Sequence, residues 1–459
     1  MALGLAKELA AGMSDLSQPG KGSSRSARMS PKFVFSGTGT RGDLLPMLAM
    51  AAEMQRRGHE CHVLANEPSG ELARKFGVPF TSTAPAQVNN LTGVEGAFGN
   101  HVFPSYRGNF EFIEAELARG RELVIVNTEH YAGSTLMAER HHLPLCRLTL
   151  TPYRIFSMVQ PFYPLSEKVR GPFAQTYRRY VLPRLKEQRY RHPYILSRLN
   201  SFRTELGLAP LESMLELERL VSFQLCMFPE WYCAPAADWS QALACVGFPL
   251  PSATGELPEG LARFIAERGA PMVFTPGTGV VDVAAFFAAA RECCARLGRP
   301  GVFLSPNAPL PNGGVDGLLY KLDYVDLALV LRGASLLVHH GGIGTTARAL
   351  EAGVPQIISP QAFDQPDNGD RISRLGVGRM IARPKLTGGS LADAARSLLE
   401  SAGVHDALRE LSGRVRSTDG VALAADSLER EFVARRTVAA PSSASEAGQP
   451  RRSCQVRAA

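Results

Sequence analysis

SLLVHHGGIGTTARALEAGVPQIISPQAFDQPDNGDRI, residues 335–372, is the stretch whose reading decides the architecture. Leu336-Leu337-Val338 is a short apolar run without polar alternation, the pattern of a strand covered on both faces. Two histidines follow, then Gly341, Gly342 and Gly344, then the small residues Thr345-Thr346-Ala347 that open a helix. Gly353-Val354-Pro355 ends that helix, and Gln356-Ile357-Ile358 begins another strand. The stretch is strand, glycine turn, helix, strand: a βαβ unit with its turn at the carboxyl end of the first strand. A turn so poor in side chains exposes backbone N–H groups at the positive end of a helix dipole, which suits phosphate. Asp364-Gln365 and Asp367-Asn368 fall just past the second strand, on the same sheet edge. A phosphate cradle beside hydroxyl-binding side chains points to a phosphorylated sugar.

Working outward, the same alternation fills the chain twice. Residues 32–35 predict a strand, a glycine-rich turn follows, and 44–57 predicts a helix stopped by Gly58. Residues 61–65, 76–80, 123–126 and 145–150 predict further strands. After Trp239 the pattern restarts with a strand at 272–274, the turn Gly277-Thr278-Gly279, a helix over 281–297 and a strand at 302–304. Short apolar strands alternating with helices give parallel α/β sheets. The expected fold class is therefore α/β, with two Rossmann-like domains facing each other across a cleft. The expected divisions are a disordered tail over 1–30, a first domain over 31–238, a second over 239–436 and a disordered tail over 437–459. Met29 is a candidate alternative start.

Composition agrees with that size and class. At 459 residues the chain exceeds one ordinary core, and 45% apolar with 20% charged residues is globular. No run approaches the ~20 apolar residues of a membrane span, and Lys7, Glu8 and Asp15 make the start a poor signal peptide. Eight cysteines without a CxxC pattern read as reduced thiols in the cytoplasm, with no metal site. The net charge of +7 owes part of its excess to residues 168–203, which carry Arg178, Arg179, Arg184, Lys186, Arg189, Arg191 and Arg198. That run reads first as a solvated helix face, and second as a surface for peripheral membrane contact at the inner face. Nothing resembles a nucleic-acid module.

Gly37-Thr38-Gly39-Thr40-Arg41-Gly42 spells GxGxxG between a strand and a helix, the mark of a dinucleotide site. That fingerprint also needs an acidic residue ending the second strand, and here the strand ends Ala65-Asn66. The glycines read more simply as a tight strand-to-helix turn. Asp43 follows the turn directly. It is either the cap of the helix behind it or a cleft carboxylate aimed at a hydroxyl as general base.

GTRGDLLPMLAMAAEMQRRGHECHVLA (39–65) and VHHGGIGTTARALEAGVPQIISPQAFDQPDNGDR (338–371) resemble, respectively, the opening and the nucleotide-sugar signature of family 1 glycosyltransferases with the GT-B fold. With Cys226-Met227-Phe228-Pro229-Glu230-Trp231 and Val246-Gly247-Phe248-Pro249-Leu250, the chain is most similar to the branch of the rhamnosyltransferases of rhamnolipid synthesis. It is also similar to bacterial relatives that glycosylate sterols, carotenoids and macrocycles. The resemblance implies an inverting, metal-independent transfer of a hexose from a UDP- or dTDP-sugar to the hydroxyl of a lipophilic acceptor, with no cofactor. It implies Asp43 as base. His339, Gly341, Gly342, Gly344 and Thr345 would hold the donor diphosphate, with Gly277 and Thr278 on its other side. Tyr324 and Val325 would meet the nucleobase, although Asp326 replaces the family's usual proline, and Asp364 and Gln365 would bind the sugar hydroxyls.

Each role has a plainer rival. His340 reads as a spacer, His59 and His62 as structural, and His141-His142 as a surface turn. His130, beside Glu129, reads as a weak candidate for orienting the acceptor or the base. The stretch YRIFSMVQPFYP (153–164) is the expected acceptor lining or, equally, interdomain packing. Besides a glycosyltransferase, a nicotinamide or flavin oxidoreductase would rest on Gly37 to Gly42. A non-catalytic helper and a nucleotide-sugar epimerase share the architecture.

Overall fold

Phe33-Val34-Phe35 are fully buried at the centre of β1 (Lys32–Ser36). The computed structural model describes residues 30–39, 41–84, 95–96, 98–128, 132–240, 242–253, 255–277, 283–308 and 310–434. A strand without polar alternation must be covered on both faces, and its neighbours accordingly run parallel. β1 lies between β2 (Cys61–Asn66) and β4 (Leu123–Asn127). With β3 (Phe80–Ala84), β5 (Leu145–Thr149), β6 (Phe223–Cys226) and β7 (Leu243–Cys245), the first sheet reads β3-β2-β1-β4-β5-β6-β7.

The second sheet is built from β8 (Met272–Thr275), β9 (Gly301–Leu304), β10 (Gly313–Gly314), β11 (Leu319–Leu322), β12 (Leu336–His339), β13 (Gln356–Ile358) and β14 (Gly378–Met380). Its order is β10-β11-β9-β8-β12-β13-β14, parallel apart from the short edge strand β10. Leaving β10 aside, both sheets wind outward from the centre and then reverse, as in dinucleotide-binding folds. The reversal falls between β1 and β4 in one sheet and between β8 and β12 in the other. Crevices for ligands open outside the carboxyl ends of strands at such switch points. The turns after β1, β8 and β12 lie at those ends. The topology therefore brings the three glycine turns to the cleft.

The expected fold class holds, but the two halves interleave more than a division at 238 and 239 implies. β7 completes the first sheet beyond that boundary, while Phe228 and Tyr232, from before it, pack into the second core with Phe274 and Val338. The helix Gly420–Leu428 returns to the first domain, where Ala424, Ala425, Leu428 and Phe432 join Phe33 and Met47 in one core. Arg57 pairs with Asp426 at 2.5 Å and Glu429 at 2.8 Å, and His59 Nε2 meets Glu429 at 2.8 Å. Those part-exposed pairs add little energy individually. The buried apolar contacts hold the return. Both expected tails lie essentially outside the described residues.

The helix after β1 runs Arg41–Arg56, three residues earlier than expected, so Asp43 sits inside its first turn and does not cap it. His62 is structural, donating or accepting with Thr81 Oγ1 at 2.8 Å beneath the Phe112 ring. Its pKa is lowered to about 4, mainly by burial. Between β5 and β6 a helical insert, including Leu182–Tyr190 and Pro193–Glu205, builds a separate apolar cluster around Phe98, Tyr106, Phe156, Tyr190 and Met214.

Candidate active site

A cavity of about 1310 Å³ opens between the two sheets. That exceeds the ~300–1,000 Å³ of an ordinary small-molecule site and leaves room for two ligands. One wall belongs to the second domain and is polar. The other is the helical insert and is largely apolar, with Leu150, Phe156, Phe162, Ile195 and Met214 on its surface and Phe98 beside them. Tyr153, Arg154 and Pro164 also line it, so the 153–164 stretch does face the cavity. It also bridges the domains, since Tyr163 N donates to Asp367 Oδ1 at 2.8 Å.

On the polar wall, Gly341 is the residue that shapes the turn. Its φ is +98°, and a Cβ there would lie 2.7 Å from Ile358 Cγ2 and 3.0 Å from the Gln365 carbonyl oxygen. A side chain would be strained by the backbone and blocked by its neighbours. Asn368 ties the turn down by donating to the Gly341 carbonyl at 2.9 Å and to Asp364 Oδ2 at 2.8 Å. Gly342 then precedes the helix Ile343–Ala352, whose first turn, with Gly344 and Thr345, faces the cavity.

The structure places the two histidines differently from expectation: the expected diphosphate ligand is buried and the expected spacer lines the cavity. His339 is fully buried and does not line the cavity. Its Nδ1 accepts from Gly341 N at 3.1 Å, which leaves Nε2 to donate to Gln356 Oε1 at 3.0 Å. Gln356 in turn donates to the Thr346 carbonyl at 3.2 Å. Burial, with His340 adding to it, pushes the His339 pKa down to about 3, so it is a neutral strut between turn, helix and β13. His340 instead lines the cavity beside Gly277 and Gly342: Cβ atoms on those glycines would lie 2.9 Å from its Nδ1 and 2.7 Å from its Nε2. The physical reason is where the strand ends: His339 is the last residue of β12, which is covered on both faces, whereas His340 falls past its carboxyl end, where the turn opens onto the cleft. Burial lowers the His340 pKa to about 4, offset in part by the Thr275 carbonyl.

Asp364 and Gln365 both face the cavity, whereas Asp367 and Asn368 are buried and structural. Asp367 Oδ2 accepts from Arg371 Nε at 2.8 Å, and Asn368 Oδ1 accepts from the Tyr232 hydroxyl at 2.9 Å. The Asp364 pKa is pushed up to about 6, first by burial and then by the nearby charge of Asp43, with Arg154 opposing. Gln365 Oε1 accepts from the Gln361 and Ala362 amides at 2.8 and 3.2 Å. Tyr324 is exposed at the rim with Val325 buried beneath it, and Asp326 caps the next helical turn by accepting from Ala328 N at 2.9 Å.

From the first domain, Asp43 reaches over its own glycine turn. A Cβ on Gly39, whose φ is +127°, would lie 2.6 Å from Asp43 Oδ2. Asp43 Oδ1 is 3.7 Å from Arg154 Nη2. The base candidate and the sugar-binding candidate thus meet from opposite domains, with Arg154 beside them. Arg154 is a residue the sequence reading does not single out; its signal is its place inside the 153–164 stretch. Thr278 and His130 lie outside the described residues. Among the described residues no group of three or more His, Cys, Asp or Glu is placed to share a metal ion, and no helix is long and apolar enough to cross a membrane.

Two family models match separate parts of the chain. Residues 33–114 match the glycosyltransferase family 28 N-terminal domain, and residues 314–425 match the C-terminal domain of erythromycin biosynthesis protein CIII-like proteins. Among curated relatives, glycosyltransferase GtfC of Amycolatopsis orientalis is 28% identical, over 87% of this chain and 98% of its own. The vancomycin aglycone glucosyltransferase of the same organism is 27% identical with the same coverage. The O-mycaminosyltylonolide 6-deoxyallosyltransferase of Streptomyces fradiae is 25% identical, over 87% and 97%. Among solved structures, the glycotransferase of kitacinnamycin superposes with a TM-score of 0.67 at 18% identity, over 88% of this chain and 99% of the other. The spinosyn rhamnosyltransferase SpnG complexed with thymidine diphosphate gives 0.60 at 18%, over 86% and 98%. The structural likeness is one of fold, two parallel-sheet domains in the GT-B arrangement. Together with the matched domain models and relatives, it marks the chain as a hexosyltransferase-type enzyme with the GT-B fold.

Proposed function

We propose that the chain is an inverting, metal-independent glycosyltransferase that moves a hexose from a UDP- or dTDP-sugar to a hydroxyl of a lipophilic acceptor. The observation that carries this is the two-faced cavity, with a glycine turn and helix N-terminus on one wall and an apolar insert on the other. The leaving group is a nucleoside diphosphate, so the growing negative charge needs donors already in place. The Ile343 helix start, the Gly341-Gly342 backbone, the Thr345 hydroxyl and His340 supply them, while His339 holds the turn in shape. Gly277, with Thr278 beyond it, takes the other side of the diphosphate, and Tyr324 and Val325 take the base. Asp364 and Gln365 accept from the sugar hydroxyls. The anomeric carbon gains oxocarbenium character as the leaving group departs. Asp43 removes the acceptor's hydroxyl proton from the opposite face, and one displacement inverts the centre. With charge stabilised by backbone dipoles and no Asp-x-Asp sequence in the chain, no metal clamp is required.

Rhamnosyl transfer to a hydroxyacyl lipid is the favoured form, supported by the apolar insert and the motifs shared with that branch. Glucosyl transfer to a polyketide, sterol or carotenoid is the second reading, favoured by relatives named for glycopeptide and macrolide sugars. The enzyme is placed in the cytoplasm with peripheral contact at the membrane's inner face. Three exposed apolar side chains, Val159, Phe173 and Tyr180, share the insert with Arg178, Arg179 and Arg184, and support that contact. Nucleotide release across a panel of UDP- and dTDP-sugars, with and without 3-hydroxyacyl acceptors, tests the function. Release only with an acceptor present is expected, and no release with any donor would refute the reading.

A further inference from the structure

Arg189 is a cation inside the apolar half of the cavity. It stands on the helix Leu182–Tyr190 and lines the cavity. Its guanidinium carbon lies 4.9 Å from the Tyr153 ring centroid, 5.3 Å from Phe162 and 6.0 Å from Phe156. Its Nη2 donates to the Tyr153 carbonyl at 3.3 Å. Its basic neighbours behave differently. Arg191 pairs with Glu187 at 2.7 Å, and Arg203 is buried against Glu139 at 2.5 Å. Among the described residues Arg189 has no carboxylate within ion-pair distance.

Arginine does not shed its proton to escape such a setting. Three aromatic faces and one carbonyl offset part of the desolvation and fix the fork's place, yet they leave the charge unpaired. Two other polar groups on the same wall are short of partners. His192 Nδ1 and Thr151 Oγ1 are both buried without a hydrogen bond, and both residues line the cavity. Tyr153, which carries the guanidinium, is the chain neighbour of Arg154, which sits beside Asp43. The unpaired cation and the base candidate therefore flank one short turn, Pro152–Arg154.

We propose that Arg189 and His192 form an anion subsite within the apolar half, and that the acceptor is an acidic amphiphile. Its carboxylate meets the Arg189 fork while its chain lies along Phe98, Ile195 and Met214. The inference rests on the reading of this half as the acceptor side and names the acceptor's chemical class. Bidentate geometry suits a planar carboxylate, and the aromatic collar suits the methylenes next to it.

Calorimetric binding of dodecanoate and of methyl dodecanoate to the full chain, below their aggregation limits, tests it. The acid is expected to bind roughly 10–100-fold more tightly than the ester, the range of one charge-assisted hydrogen-bonded pair. Arg189→Gln should bring the acid down to the ester's affinity, and Arg189→Lys should keep part of the preference. Equal affinities in the unaltered protein, or a preference that survives Arg189→Gln, would overturn the proposal. Should Arg189→Gln not fold, the acid–ester ratio of the unaltered protein decides alone. UDP and dTDP titrated into the same samples report the donor wall separately. Absent nucleotide binding counts against the glycosyltransferase mechanism, and an absent acid preference counts against the anion subsite.

Discussion

Asp43 Oδ1 lies 3.7 Å from Arg154 Nη2, and the charge of Asp43 is felt across the cleft by Asp364 on the other domain. The domains share one electrostatic unit, in which the nearby Asp43 carboxylate makes it harder for Asp364 to ionise.

His340→Ala should weaken UDP or dTDP binding by roughly tenfold or more with little change in melting temperature, because its ring lines the cavity. His339→Ala should do the reverse first. It removes a buried ring and strands Gln356 and Gly341 N, at a cost of about 2–4 kcal/mol, lowering the melting temperature by several degrees. Thermal melts and nucleotide calorimetry on the two variants separate the roles. Equal effects would contradict the division.

Diphosphate binding should draw a proton onto His340. Its pKa of about 4 in the free site is held down by burial, and two phosphate charges beside it favour the imidazolium. Calorimetry near pH 5 in buffers of differing ionisation enthalpy should show proton uptake on binding, absent in His340→Ala. No buffer dependence would place the diphosphate elsewhere.

Asp364 gives a pH test of the sugar site. Its folded pKa, about 6, lies above the ordinary aspartate value of 3.8, so the fold favours the protonated form. The penalty for ionising it grows as pH rises from about 4 to about 6 and is complete above. Asp364→Asn should therefore gain melting temperature relative to the unaltered protein on going from pH 4 to pH 7, by ~2–4 °C. The same variant should raise the donor KM at pH 7 while leaving free nucleotide affinity unchanged. In the unaltered enzyme donor KM should rise below pH 6, as the carboxylate loses its capacity to accept.

Vesicles test the insert's outer surface. Co-sedimentation with phosphatidylglycerol vesicles should exceed that with phosphatidylcholine and fall with added salt. Replacing Phe173 and Tyr180 with serine, or Arg178 and Arg179 with glutamate, should each reduce it. Binding that is indifferent to headgroup and to all four residues would remove the membrane contact.

The sheets were legible because their strands are apolar runs next to glycine turns, a purely local pattern at Phe33 to Gly37 and Leu336 to Gly342. The fold class and the cleft location follow from that pattern and from topology. Five features were not local. The return of Leu428 and Phe432 to the first core depends on a surface left open by a helix far earlier in the chain. β7 depends on register with β6, not on its own short sequence. Adjacent histidines look alike in sequence, and only the end of β12 at His339 decides which one is a strut. Arg189 reads as one charge in a solvated run until the rings of Tyr153, Phe156 and Phe162 are brought beneath it. Asp364 was separable from Asp367 only once the helix Gln365–Arg374 turned one toward the cavity and the other toward Arg371.

The central claim is that the cavity transfers a sugar with Asp43 as base. The most direct measurement is turnover and nucleotide affinity of Asp43→Asn, with the best donor found in the panel. A fall in turnover of about 10²–10⁴-fold with unchanged UDP or dTDP affinity is the result the account predicts. Turnover near that of the unaltered enzyme would contradict it and leave Asp43 as a first-turn carboxylate that only steadies its helix.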